Sequence, residues 1–215
     1  MGFPEIYHQF LAGLRQTGWL EYTGVFFGIG SVWFSRKENI LVYPVGLVNT
    51  IIYFFLSLKG HLIGEAGVQI YYTAMSIYGW WLWTRKDRRH HPVVVITRST
   101  TSEQVTHILF FSAFYIVIFI ALLWLKKFFV PGAIPWADAL ASATAFTGMW
   151  LMAKKKLENW YWWIGTNIVS IPLYFVKNYV FTSVYYLVLL AMAFWGLAEW
   201  KKKLANRQQS SFNSH

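Results

Sequence analysis

The stretch that decides the fold is ENWYWWIGTNIVSIPLY, residues 158–174. It is apolar enough to enter a bilayer, yet it carries three tryptophans and, in its interior, an asparagine, a serine, a threonine and a proline. A helix that only anchors a protein in a membrane would be rich in Leu, Ile and Val. The stretch therefore predicts a membrane span whose polar and aromatic side chains do more than anchor the chain.

The composition of the whole chain is also that of a membrane protein. Of its 215 residues 56% are hydrophobic and 13% are charged, and the mean hydropathy is +0.38, whereas a soluble domain has about 25% charged residues. We therefore predict an all-α integral membrane protein. The net charge of +10 is attributed to topology and lipid head groups, with no nucleic-acid partner. The absence of cysteine excludes disulfides and thiolate metal sites.

The hydropathy pattern divides the chain into seven predicted spans of about 20 residues. These spans are 18–34, 40–58, 62–83, 106–125, 136–153, 159–176 and 180–199. Residues 1–17 have apolar side chains at helical spacing, which predicts a helix lying on the membrane surface and not a secretory signal. The loop 84–105 and the tail 201–215 are polar, and we expect the tail to be disordered.

The basic residues predict the orientation of the chain. With seven spans, the side of the membrane that holds the N-terminus has five Lys and Arg residues and the opposite side has fourteen. Basic residues accumulate on the cytoplasmic side. We therefore expect the N-terminus outside the cell and the C-terminus in the cytoplasm.

The two halves of the chain resemble each other at an offset of 117 or 118 residues. Matching pairs are Trp33 and Trp150, Asn49 and Asn167, Lys59 and Lys177, Gly79 and Gly196, and Trp83 and Trp200. Residues 18–83 and 136–200 are thus predicted to be two three-helix repeats, and the span 106–125 is the linker between them. Because the linker reverses the inversion that an odd number of spans would cause, the repeats are parallel. Transporters of this kind bind substrate near the membrane midplane, between the repeats.

Candidate binding residues lie inside these spans. Trp160, Trp163 and Asn167 are spaced as i, i+3 and i+7, on one face of a helix. An indole face stacks on an aromatic ring and attracts a cationic one, and Asn49 is the partner of Asn167 in the first repeat. Two simpler explanations stay open: the interfacial aromatic belt, above all for Trp160, and amides that tie helices together.

The third span offers further polar groups on one face. Gln69, Tyr72, Thr73 and Ser76 would suit a ribose or a carboxamide, or would equally tie helices together. No carboxylate lies at a predicted midplane, which favours transport that is not coupled to an ion. His90, His91 and His107 lack ligand spacing, so we predict no metal and no cofactor. No catalytic constellation is visible, which argues against an enzyme.

Several of these segments resemble the PnuC family of bacterial vitamin transporters. The most specific is ENWYWWIGTNIVSIPLYF, which is similar to the family pattern W-x-x-W-x-x-x-N at Trp160, Trp163 and Asn167. The segments 40–53, 68–81 and 193–200 also fit, so that the resemblance covers about residues 18–202. One departure is Tyr43, since many relatives have Trp before the proline; this position bears on selectivity.

The resemblance implies a fold and a function. The family has a 3+1+3 arrangement of helices, is related in plan to SWEET sugar transporters and forms homotrimers. It implies facilitated diffusion of nicotinamide riboside across the inner membrane, followed by phosphorylation in the cytoplasm that traps the substrate. Trp160, Trp163 and Asn167 would contact the substrate, facing Gln69 and Tyr72. Thiamine, riboflavin and, further off, a sugar are alternative substrates.

Overall fold

The computed structural model describes residues 3–59, 63–127 and 133–212. This part of the chain is helical, apart from short connections and the longer loop 85–100. The helices are α1 (Phe3–Gln16), α2 (Trp19–Arg36), α3 (Val42–Lys59), α4 (Ile63–Thr84), α5 (Thr101–Lys126), α6 (Pro135–Ala153), α7 (Asn159–Val176) and α8 (Val180–Phe212).

A helix lies over each of the seven predicted spans, with α1 before them. Three of these helices have the length and composition to cross a membrane by themselves, over Val42–Lys59, Thr101–Lys126 and Val180–Gln209. The others are less apolar because they carry Gly, Ser, Thr, Asn and Asp residues. Many of these residues face the interior of the bundle, as described below.

The prediction of a disordered tail was wrong for residues 201–212, because α8 continues to Phe212; residues 213–215 lie outside the described residues. The Lys203 ammonium donates a hydrogen bond to the carbonyl of Lys37 at 2.7 Å, and Arg207 lies 3.4 Å from the Glu38 carboxylate. Composition favours disorder in this polar segment. The contacts with the turn between α2 and α3 stabilise this part of α8, which the local sequence does not predict to be helical.

The loop after α4 is also ordered by contacts. Thr97 forms backbone hydrogen bonds with Lys155 and Leu157, and Ile96 is buried. The helix α5 begins at Thr101, earlier than predicted, behind a capping box formed by Thr100 and Glu103. Lys156 Nζ donates a hydrogen bond to Glu103 Oε2 at 2.9 Å. The turn between α6 and α7 is therefore fastened to the loop and to the start of α5.

The helices pack in two sets that meet across the molecule. Within each set neighbours in sequence are in contact, α2 with α3 and α3 with α4, and likewise α6 with α7 and α7 with α8. Between the sets α4 contacts α6, and α2 contacts α8. These two contacts are equivalent when the first set is superimposed on the second in chain order. The helix α5 packs on α6, and α1 packs on α8.

Two equivalent hydrogen bonds mark where the two sets of helices meet. Trp83 Nε1 donates to the carbonyl of Ala153 at 3.0 Å, and Trp200 Nε1 donates to that of Arg36 at 3.1 Å. Both members of the first bond lie 117 positions from their counterparts in the second. The two bonds are therefore related by the internal repeat of the sequence.

Two further contacts join a residue to its own counterpart. Ser35 Oγ donates to the sulfur of Met152 at 3.2 Å, and Lys155 Nζ lies 2.9 Å from Glu38 Oε1. In an arrangement with approximate two-fold symmetry, a residue touches its counterpart only near the axis. We call the end of the bundle that contains these contacts, near the turns 37–41 and 154–158, the basic end.

The basic end also contains the apolar core. Tyr43 packs against Gly79 and lies edge-on to Trp83, with ring centroids 5.2 Å apart. Its counterpart Trp160 packs in the same way against Gly196 and lies edge-on to Trp200 at 5.6 Å. A Cβ at either glycine would overlap the aromatic ring. The paired Gly and Trp residues noticed in the sequence thus have a packing reason.

The helix predicted at the N-terminus is present as α1. It packs on α8, where a Cβ at Gly13 would lie 3.1 Å from Phe181 Cβ and the rings of Phe10 and Phe181 are 6.2 Å apart. Its position on the membrane surface stays a prediction.

Candidate functional site

A large cavity lies between the two sets of helices. Its volume is about 1440 Å³, and α2, α3, α4, α5, α6, α7 and α8 all contribute to its wall. This exceeds the roughly 300–1,000 Å³ of an ordinary small-molecule site. The cavity is long: its lining extends from Glu21 and Lys177 at one end to Ser35 and Trp160 at the basic end.

The cavity brings together most of the residues predicted from the sequence. Seven of them contribute to the lining: Asn49, Gln69, Tyr72, Ser76, Trp160, Trp163 and Asn167. They come from α3, α4 and α7. Residues far apart in the sequence therefore share one space.

Tyr43 and Thr73 lie outside this lining. Tyr43 is fully buried in the core at the basic end. Thr73 Oγ1 donates to Thr50 Oγ1 at 3.1 Å and contributes to a shallow apolar groove on the outer side of α3 and α4. Both residues hold helices together in this structure, so neither is carried into the proposal below.

Trp163 and Tyr72 form an aromatic pair on the cavity wall. Their ring centroids are 6.4 Å apart and their planes are inclined at 34°. The indole of Trp163 lies against α6 at Gly148, where a Cβ would be 3.2 Å from the ring. The missing side chain at Gly148 lets the indole approach the helix backbone, and this contact restricts the ring orientation.

Trp160 differs from Trp163. It is 2% exposed and is held by Gly196 and Trp200, as described above. A tryptophan of the interfacial belt would have its indole in the head-group region, so the belt does not account for Trp160. Its Nε1 has no hydrogen-bond partner among the described residues. Trp160 is both a packing residue and part of the inner end of the cavity.

The two asparagines predicted as a pair have different surroundings. Asn49 Nδ2 donates to the carbonyl of Gly24 at 2.7 Å, which is the helix-tying role left open in the sequence analysis. Asn167 is 3% exposed and lines the cavity, and it has no hydrogen-bond partner among the described residues. Its amide atoms do not belong to the fully buried atoms without a partner, so they are open to the cavity. A ligand in the cavity would supply the partner.

Tyrosines of α8 were missed by the sequence analysis. Tyr185 and Tyr186 line the cavity. The Tyr185 hydroxyl lies where a Cβ of Gly28 would be, and Tyr186 stacks on Tyr174 with ring centroids 5.1 Å apart. The signal in the sequence was the pair Gly24 and Gly28, four residues apart on α2, which leaves room for side chains from neighbouring helices.

The end of the cavity away from the basic end is lined by charged residues. The Lys177 ammonium lies 2.6 Å from Asp138 Oδ1, and Glu21 and Glu65 lie on the same lining. No group of three or more His, Cys, Asp and Glu residues that could hold a metal ion lies within the described ranges.

The geometry defines a class: a helical, multi-pass membrane protein built around a polar and aromatic cavity. Comparison with known proteins identifies the family. The model for the nicotinamide mononucleotide transporter family matches residues 18–202. The chain therefore belongs to this family, and the resemblance to PnuC transporters found in the sequence is confirmed.

Two curated relatives are transporters of different vitamins. The riboflavin/roseoflavin transporter RibM of Streptomyces davaonensis is 27% identical over 182 residues, which is 85% of this chain and 84% of RibM. The nicotinamide riboside transporter PnuC of Escherichia coli is 22% identical over 209 residues, which is 88% of this chain and 87% of PnuC.

A solved structure has the same fold. The crystal structure of the vitamin B3 transporter PnuC superimposes with a TM-score of 0.71 at 21% identity, and the match covers 92% of this chain and 87% of that one.

Proposed function

We propose that this protein carries nicotinamide riboside across the inner membrane by facilitated diffusion. The observation that carries the proposal is a cavity whose wall holds both a Trp–Tyr pair and the amide of Asn167, which has no hydrogen-bond partner among the described residues. Family membership supports a vitamin as the substrate. Phosphorylation in the cytoplasm would then trap the imported compound.

Each group has a role in this proposal. The nicotinamide ring is cationic and stacks on Trp163, a contact whose cation–π component is about 0.5–2 kcal/mol. Asn167 and Gln69 form hydrogen bonds with the carboxamide or the ribose hydroxyls, and Tyr72 covers the ring from α4. Asn49 affects the binding site indirectly, by holding α3 to α2, because its amide donates a hydrogen bond to the Gly24 carbonyl.

We propose that α2–α4 and α6–α8 are the two repeats of a 3+1+3 arrangement with α5 as linker. Seven spans then cross the membrane, with the N-terminus outside and the basic end in the cytoplasm. The equivalent bonds of Trp83 and Trp200 support this arrangement. Both hydrogen bonds lie near the basic end, where the apolar core lies between the cavity and the turns 37–41 and 154–158. Transport requires these contacts to open. A homotrimer is part of the same proposal and rests on the resemblance.

Riboflavin is the second candidate substrate, favoured by the higher identity to RibM than to PnuC. Thiamine, another cationic vitamin, is the third. A sugar is a weaker fourth, because it lacks the charge and the aromatic ring that this lining accommodates. The family consists of transporters, so catalysis is no part of the proposal.

The proposal is tested by calorimetry on the purified protein with nicotinamide riboside, riboflavin and thiamine in parallel. We expect saturable binding of nicotinamide riboside and weaker binding of the other two. Stronger binding of riboflavin would replace the proposed substrate. If none of the three binds, the cavity is not a vitamin site.

A further inference from the structure

The charges on the cavity wall are unbalanced. Among the described residues that line it, the carboxylates and amines are Glu21, Glu65, Asp138 and Lys177. Lys177 is committed to Asp138 at 2.6 Å. Glu21 and Glu65 form no ion pair within the described ranges. The wall of the cavity therefore has an excess of two negative charges when all four groups are ionised.

Glu65 lies on the same helix as two binding candidates. It precedes Gln69 by four residues and Tyr72 by seven in α4, so the three side chains share a face of that helix. Seven residues of helix correspond to about 10 Å along the axis. The carboxylate of Glu65 thus lies about two helical turns from the aromatic pair of Tyr72 and Trp163, toward the charged end of the cavity.

The inner part of the cavity also points to a ligand. Asn167 is 3% exposed and without a partner among the described residues, and Trp163 presents a ring to the same space. Neither group has a charge, and the single lysine of the described lining is paired with Asp138. When Glu21 and Glu65 are ionised, the net charge that a ligand meets on entering this cavity is negative, because the single lysine faces three carboxylates.

We propose that Glu65, assisted by Glu21, makes the cavity selective for vitamins with a positively charged aromatic ring. This inference rests on the proposed function and narrows it to cationic substrates: nicotinamide riboside and thiamine satisfy it, and the neutral ring of riboflavin does not. The carboxylates attract the cation at the mouth, and the Trp163 face receives it after desolvation. A vitamin is therefore selected first by its charge at the mouth of the cavity and then by its shape at Trp163.

The test compares nicotinamide riboside with its reduced dihydro form. Both have the same carboxamide and ribose, but the dihydro ring is neutral. We expect the cation to bind more tightly to the unmodified protein. Glu65→Gln should weaken binding of the cation roughly three- to tenfold, the effect of one charge at about 10 Å in a partly hydrated cavity, while binding of the neutral form changes less than twofold. Glu21→Gln should act in the same direction.

Two controls sharpen the comparison. Asp87→Asn removes a carboxylate in the loop after α4, away from the lining, and should leave both affinities unchanged. Higher ionic strength should reduce the preference for the cation, because the Debye length falls to about 3 Å at 1 M salt. Melting of each variant in detergent shows that it is folded.

Three outcomes would overturn the inference. Equal weakening of both forms by Glu65→Gln would make Glu65 a structural residue. Unchanged affinity for the cation in both the Glu65→Gln and Glu21→Gln variants would remove the charge effect. Equal affinity of the unmodified protein for both forms would show that the cavity does not select by charge while leaving the vitamin site intact. If neither form binds, the proposed function itself fails for nicotinamide riboside.

Discussion

Trp163 has surroundings that separate a binding role from a packing role. It is half-buried, lines the cavity and rests on Gly148. Trp163→Ala should therefore weaken binding of nicotinamide riboside by about 1–3 kcal/mol, the contribution of one aromatic stack. Because Trp163 also packs against the apolar core, the melting temperature is measured alongside. Calorimetry measures the affinity. Trp19→Ala, at a position 77% exposed, is the matched control. Unchanged affinity in a folded Trp163 variant would exclude this residue from the site.

We expect substitutions of the two asparagines to have opposite effects on binding and stability. Asn167→Ala should lower affinity and leave the melting temperature nearly unchanged, because the native amide faces the cavity and has no hydrogen-bond partner among the described residues. Asn49→Ala should lower the melting temperature, since it removes the bond to the Gly24 carbonyl. Ligand binding and thermal melting in detergent distinguish the two effects. The same pattern in both variants would contradict the different roles assigned to them.

Gly196 provides a test of the core at the basic end. A methyl group there would overlap the ring of Trp160, so Gly196→Ala should destabilise the protein by about 1–3 kcal/mol through overpacking. Gly79→Ala should do the same through Tyr43. Gly165→Ala in α7 is the control, because nothing lies within 4 Å of its added Cβ. Melting temperatures report the difference, and equal values for all three variants would argue against the packing described.

These residues also show what the sequence could reveal about the site. The i, i+3, i+7 spacing on α7 correctly predicted that Trp160, Trp163 and Asn167 share one space. Sequence spacing gives a common face but not its direction, which is why Tyr43 and Thr73 were included although they face away from the cavity. Tyr185 was missed because its position depends on the small residue Gly28 of a helix distant in sequence.

Among the structural elements, the turns at the basic end depend on contacts between the two sets of helices. Glu38 and Lys155 both have left-handed backbone conformations, with φ of 60° and 52°, and their side chains form an ion pair with little exposure. Positive φ is unfavourable for residues other than glycine. The cross-molecule contact is therefore part of what holds each turn in place.

Breaking this ion pair should loosen the basic end. Removing one partner of a buried ion pair costs about 3–5 kcal/mol, so Lys155→Glu should lower the melting temperature. Glu38→Lys should have a larger effect, because Lys203 and Arg207 also face this position. The double exchange should recover part of the loss, and Lys202→Glu, at an exposed position, is the control. No recovery in the double variant would contradict a direct interaction.

The elements themselves were predictable to different degrees. Apolar segments predicted most ends of the seven main helices to within a few residues, because a membrane requires internally hydrogen-bonded backbone. The start of α5 and the extension of α8 were not predicted. Their stability depends on a capping box and on contacts with Glu38. A hydropathy profile does not depend on such interactions and cannot predict them.

For the whole molecule, the relation between the two halves was visible in the sequence as a constant offset, and the structure gives equivalent contacts to residues at that offset. A cavity between two such halves suits alternating access, in which one half rocks against the other around a fixed site. The charged residues lie toward one end of the cavity and the apolar core closes the other. We propose that this cavity moves a vitamin without using an ion gradient.

The measurement that tests this claim most directly is uptake of labelled nicotinamide riboside into vesicles that contain the purified protein and no kinase. We predict saturable uptake that stops when the inside and outside concentrations are equal, is unaffected by proton or sodium gradients, and is slowed by Trp163→Ala. Accumulation above the outside concentration would contradict facilitated diffusion. Absence of uptake into vesicles with correctly folded protein would contradict transport of this vitamin.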